Sequence, residues 1–218
     1  MLRTWVLVLW LLAATIAASL AARLVPMARA QLGMEPRLSE ILASPARDWD
    51  GDGLYDSRND EWVEVMNGGA SPVDLAPYRI ADADSTIRFE LSGMLLPGSV
   101  LLVTGSAAVA QQRALGRTAT GLSLNNSGDT VILFRVAGDT TVVDSHPYGS
   151  IEAATDRAVG RLGEGDAWTL FDGLNAYTGS GEPKGTGCPP TPGAPNGCTT
   201  PVSESSWGGI KLRFLRGR

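Results

Sequence analysis

Short apolar stretches separated by turn-forming residues dominate the chain from residue 37 onward. Arg37 to Ser44 reads as a first strand. Glu61-Trp-Val-Glu-Val-Met-Asn67 alternates with period two, which lets one face bury while Glu61 and Glu64 partly reach solvent. Val73 to Leu75, Tyr78 to Ala81, Ile87 to Leu91 and Val100 to Thr104 follow as short strands between Pro, Gly, Asp and Ser turns. Ala107 to Leu115, rich in Ala and Gln, predicts one or two helical turns that Gly116 stops. The turn Asn125 to Asp129 leads into a strand over Thr130 to Val136, and Gly138-Asp139 folds Thr141 to Tyr148 back as its hairpin partner. From Ala153 the pattern loosens, with Trp168 to Phe171 as an edge strand and a loop over Gly173 to Gly187. Such spacing predicts an all-β sandwich or barrel of short antiparallel strands.

Length and composition fit that picture. A chain of 218 residues, 44% hydrophobic, holds one principal domain, and its 26 Gly and 13 Pro argue against long helices. The formal charge is -5; without the first 30 residues, 15 basic groups face 23 acidic ones, giving -8. That balance speaks against nucleic acid as the partner. His146 is the single histidine, so no two-histidine zinc centre can form, and Cys188 and Cys198 are too few thiols to replace one.

Both ends carry targeting-like features. Met1 to Arg3 is basic, Trp5 to Ala22 is apolar, and Ala28-Arg29-Ala30 predicts signal-peptide cleavage after Ala30, hence a secreted or cell-surface protein. The rival reading is an uncleaved anchor, since a run of about 18 apolar residues can span a bilayer. Export suits a disulfide between Cys188 and Cys198, which bracket four prolines; two free thiols are the alternative. We expect residues 1–30 as signal peptide, 31–36 as a short lead, 37–198 as the domain, 199–206 as a linker and 207–218 as a basic tail. In that tail Lys211 and Arg213 alternate with Ile210, Leu212 and Phe214, which suits a docking, strand-donating or surface-anchoring peptide, or a disordered end.

The order of motifs adds a resemblance. Glu61-Trp-Val-Glu-Val-Met-Asn67, Val73-Asp-Leu75 with Tyr78-Arg-Ile-Ala-Asp82, and Leu96-Pro-Gly98 before Val100-Leu-Leu-Val103 come first. Leu124-Asn-Asn-Ser-Gly-Asp-Thr-Val131, Val143-Asp144 with Tyr148-Gly149, and Thr191-Pro-Gly-Ala-Pro-Asn196 follow. Together they resemble the lamin-tail domain of secreted bacterial proteins, over roughly Arg37 to Cys198. The resemblance implies an immunoglobulin-like β-sandwich that binds or scaffolds, often beside exported hydrolases and nucleases, with no catalytic residues of its own. Trp62 is then expected in the inter-sheet core, with Leu75, Leu124 and Val131.

The stretch between the first two strands carries separate chemistry. Asp48, Asp50, Asp52 and Asp56 stand at loop positions one, three, five and nine, with Gly53 at six and Leu54 at seven to offer its carbonyl. Hard oxygen donors on a tight curl suit calcium, and the spacing resembles EF-hand, dockerin and thrombospondin type 3 loops. Asn59 stands at twelve in place of a bidentate Glu, and Asp60 follows, so the expected affinity is on the order of 10⁻⁴ M. The full expected ligand set is Asp48, Asp50, Asp52, Leu54, Asp56, Asn59 and Asp60, holding a structural Ca2+; a solvated acidic loop without an ion is the alternative.

Other signals weigh little. Asp144-Ser145-His146 has the residue types of a nucleophile triad, but neighbours on a strand alternate faces. Asn125-Asn-Ser127 is explained by its turn. We therefore expect a non-enzymatic module that binds a protein, polysaccharide or envelope partner, with contact to a membrane only through the signal peptide or the basic tail. The alternatives are an accessory module of an extracellular hydrolase or nuclease and a calcium-dependent hydrolase.

Overall fold

Two antiparallel sheets face each other in a computed structural model that describes residues 35–162 and 167–198. The expected signal peptide, linker and basic tail lie outside the described residues. In chain order the elements are β1 (Arg37–Leu42), β2 (Trp62–Met66), β3 (Val73–Asp74), β4 (Tyr78–Ala81), β5 (Ile87–Glu90), β6 (Met94–Leu95) and β7 (Val100–Thr104). Helix α1 (Gly105–Ala114), β8 (Gly128–Ala137), β9 (Asp139–Gly149), β10 (Ala158–Arg161) and β11 (Trp168–Phe171) complete them. One sheet runs β11-β10-β1-β2-β7, the other β5-β4-β8-β9, and β3 pairs with β6 in a small ribbon. The molecule is an all-β, immunoglobulin-like sandwich.

Period two explains the main core. Val63 and Val65 of β2 point inward with Leu38, Val103, Val159 and Leu170, and meet Tyr78, Ile80, Val131 and Leu133 of the opposite sheet. Burying each such aliphatic side chain contributes roughly 1.5–3 kcal/mol. Trp62 departs from expectation. It belongs to a second cluster on the outer face of the five-stranded sheet, with Leu42, Ala158, Phe171 and Cys188, and Trp49 and Leu102 pack against it. Glu61 and Glu64, expected to reach solvent, are 3% and 0% exposed. Trp62 and Glu64 share the outer face, which other parts of the chain cover, so position on a strand face does not tell inside from outside. Glu61 has the opposite parity and is buried where it accepts the Leu124 N–H at 3.1 Å.

The edges are closed locally. Thr104 caps α1 by accepting the Ala107 N–H at 3.2 Å, and the helix lies along edge strand β5. There the Gln111 amide accepts the Glu90 N–H at 2.7 Å and donates to the Glu90 carbonyl at 2.8 Å, and Gln112 donates to the Arg88 carbonyl at 2.8 Å. The two glutamines satisfy backbone groups that an edge strand leaves open. Between β1 and β2 a bulge sets Ser39 and Glu40 opposite Glu64, because Leu38 pairs with Val65 and Ile41 with Val63. The Leu38 N–H turns instead to Asp144 of β9 at 2.9 Å, tying the two sheets together.

Candidate functional site

The acidic loop hangs on two buried aspartates. Asp60, fully buried at the entry to β2, accepts the Trp49 and Asp50 N–H groups on Oδ1 at 2.6 and 3.0 Å and the Asp56 N–H on Oδ2 at 2.7 Å. Asp156, ahead of β10, accepts the Ala46 N–H at 2.8 Å and the Trp49 indole N–H at 3.0 Å, and pairs with Arg47 at 2.9 Å. Trp49 thereby lies edge-on to Trp62, with ring centroids 6.2 Å apart at 64°. Packing thus fixes the loop's base, while its tip, including Leu54 at 72% exposure, stands in solvent.

Within the loop each carboxylate binds nearby backbone. Asp48 accepts from Gly51 and Gly53 at 2.7 and 2.8 Å, Asp50 from Asp52 at 3.1 Å, and Asp52 from Leu54 at 2.7 Å. Gly51 and Gly53 have φ of 79° and 88°, a backbone region glycine enters without strain. Asp56 accepts from Arg58 and Asn59, both at 2.9 Å, and the Asn59 N–H first, then that of Arg58, holds its carboxyl below the usual range. The loop's exit is fixed against α1: Ser106 N–H donates to the Asn59 carbonyl at 3.0 Å, and a Cβ on Gly105 would stand 1.8 Å from the Arg58 carbonyl oxygen.

Of the five expected carboxylate ligands, three converge. Asp48, Asp50 and Asp60 each offer an oxygen within 4.8 Å of the others. Asp52 and Asp56 are not part of that group. Among the described residues Asp50 Oδ2 is buried without a hydrogen-bond partner. Both Asp48 oxygens and Asp60 Oδ2 accept one N–H each and keep a second lone pair, whereas Asp60 Oδ1 accepts two. The donor set is all oxygen, which fits a hard cation.

The triad-like residues assemble no nucleophile relay. Asp144 holds Arg161 through both carboxylate oxygens at 3.0 and 2.9 Å, while His146 Nε2 meets Glu152 at 3.0 Å and its ring stacks on Trp168 at 3.7 Å. Ser145 gives its N–H to Asp144 at 2.9 Å. These side chains join β9 to β10 and β11. The turn reading of Asn125 holds, since its Oδ1 accepts both the Ser127 N–H at 2.9 Å and the Ser127 hydroxyl at 2.7 Å.

A second carboxylate site was not singled out from sequence. Glu40 and Glu64, both fully buried, lie together under the segment bracketed by the Cys188–Cys198 disulfide. Glu40 accepts the Thr191 hydroxyl at 2.6 Å and its N–H at 3.2 Å, and Glu64 accepts the Gly193 N–H. Asn196 donates to the carbonyls of Ser39 and Arg161 at 3.1 and 2.8 Å. The signals that could have pointed to this site are the odd glutamates on otherwise apolar strands and Gly160, where a Cβ would come within 2.9 Å of Asn196, Glu40 and Ser39.

A sandwich with polar brackets between its sheets, a capped edge and no assembled nucleophile among the described residues defines an immunoglobulin-like structural module. The chain belongs to the lamin tail domain family, whose model matches residues 37–150. That family is one of non-catalytic immunoglobulin-like domains. No curated protein shows significant similarity to the chain.

Proposed function

We propose that the protein is a secreted or cell-surface binding and scaffolding module of the lamin-tail type known from bacteria, without enzymatic activity, stiffened by one disulfide and one structural calcium ion. Membership of a non-catalytic domain family carries the reading. Supporting it, Asp144 and His146 are committed to Arg161 and Glu152 rather than to each other. The disulfide pins the closing segment onto the sheet, as a module exposed to oxidising surroundings requires. Its partner is a protein, polysaccharide or envelope component; fold alone does not select among them.

The calcium part rests on Asp48, Asp50 and Asp60. These would hold the ion, which would tie the loop's first turn to the start of β2. The test uses the full chain with its disulfide formed. Phosphodiester and ester substrates, assayed with millimolar calcium, should show no turnover that Asp50→Ala removes. Calcium-dependent turnover that Asp50→Ala abolishes would replace this reading with the hydrolase alternative.

A further inference from the structure

The outer face of the five-stranded sheet places one row of side chains across four strands. Glu64 of β2 stands between Leu102 of β7 and the bulged pair Ser39 and Glu40 of β1, and Glu40 faces Gly160 of β10. Over this row lies the segment from Thr191 to Asn196, its ends tied by Cys188 and Cys198, whose Cα atoms are 5.3 Å apart. Cys188 itself is 1% exposed and belongs to the outer cluster. The segment can therefore move only between its tied ends.

Two adjacent buried carboxyls need a counter-charge or a proton. Among the described residues no cationic side chain is one of the groups that shift them. Glu40 meets burial and Thr191; Glu64 meets burial, then Glu40, then the Gly193 and Ala194 N–H groups. From β7 comes Leu102, from β10 only Gly160, and Arg161 turns its guanidinium to the Leu38 carbonyl at 3.1 Å and to Asp144. Among the described residues Glu64 Oε2 has no hydrogen-bond partner, so it has room for a proton, while the strap's N–H groups are all that favours the charged form. Burial pushes Glu40 up to about 7 and Glu64, which also feels Glu40, up to about 8.

We propose that the Cys188–Cys198 segment is a strap whose seating on Glu40 and Glu64 is controlled by protonation, closed when the pair holds protons and loosened when both carboxyls ionise. The sign follows from linkage. Uncovering the pair returns it toward the ordinary carboxyl range, so the closed strap binds protons more tightly than the open one, and rising pH favours opening. The strap's N–H groups favour the ionised form, but burial outweighs them at both residues. Pro195 and Asn196 also wall a cavity of about 600 Å³ with Arg37, Ser39, Met66 and Asn67. Loosening the strap removes that wall and widens a cavity that is already open to solvent.

The test is a side-chain carboxyl carbon-13 titration of the full, disulfide-bonded chain, together with backbone amide exchange corrected for intrinsic rates. Glu40 and Glu64 should titrate with midpoints near 7 and 8. Opening of the strap at Thr191 and Gly193 should rise by about tenfold or more between pH 6 and 9, and Glu64→Gln should remove most of the rise. Midpoints near 4.5 at both residues, or strap exchange that does not change with pH in the wild type, would overturn the proposal. The wild-type titration decides the matter even if the variants fold poorly.

Discussion

The protein holds two groups of acidic residues in opposite surroundings. In the loop before β2, aspartates at the surface accept backbone N–H groups from their own turn, and only Asp60 reaches into the fold. Under the strap, Glu40 and Glu64 are sealed on a sheet face and accept N–H groups from a segment about 150 and 130 residues further along the chain. Water and a cation can answer charge in the first group; in the second, the strap's N–H groups and the Thr191 hydroxyl answer it in part and protons the rest. On the readings proposed above, the same functional group would serve a metal-type site in one place and a proton-type latch in the other, and burial makes the difference.

That contrast can be attacked at several points. The largest effect should come from Asp60→Ala, which leaves three N–H groups at the loop base without their acceptor and should lower unfolding free energy by about 3 kcal/mol or more in denaturant titrations. Asp52→Ala, in the exposed turn, should change it by about 0.5 kcal/mol or less. Equal losses in the two variants would remove the distinction between anchor and rim.

Next comes pH. Glu40, Glu64 and the buried Glu61, itself pushed up to about 8 chiefly by burial, all have folded values above their unfolded ones. Their stabilisation is full below the ordinary carboxyl range and is lost as pH rises through 7 to 8. Asp56 acts in the other direction, losing its contribution as pH falls into acid. Stability should therefore peak near pH 5 and fall by about 2 kcal/mol or more toward pH 9, a slope that Glu64→Gln should reduce.

Calcium should act on the loop alone. With a dissociation constant on the order of 10⁻⁴ M, a fiftyfold excess should stabilise by about 2 kcal/mol, measured as a rise in Tm. Asp50→Ala should abolish the rise, whereas Asp52→Ala, outside the converging group, should keep most of it. The smallest effect is expected from Gly160→Ala, whose added methyl would crowd Asn196 and Glu40 and cost about 1–2 kcal/mol while speeding amide exchange at the strap.

Much of this architecture was legible beforehand, for physical reasons that also explain the gaps. Strands β4 and β7 fall where the alternation and flanking turns placed them, and β11 is the expected edge strand. Strand β10 escaped notice because Ala158-Val-Gly-Arg161 is short and contains a glycine, a residue the strap's approach demands rather than the strand. The two-residue β6 offers no period at all. Trp62 and Glu64 share a strand face, and period two locates that face without telling what lies over it; the cover comes from Trp49 and from residues 188–196. The tight turn of the aspartate loop was legible because its Asp and Gly spacing is local in sequence. Its anchoring to Asp156, over a hundred residues away, was not.

The most direct test of the account is thermal unfolding of the full chain, disulfide intact, at pH 5.5 and 8.5, each with chelator and with millimolar calcium. The account predicts a lower Tm at pH 8.5 without calcium and the same calcium-induced rise at both pH values, because the two acidic groups are balanced independently. A Tm that does not fall at pH 8.5, or that calcium leaves unchanged at both pH values, would contradict it.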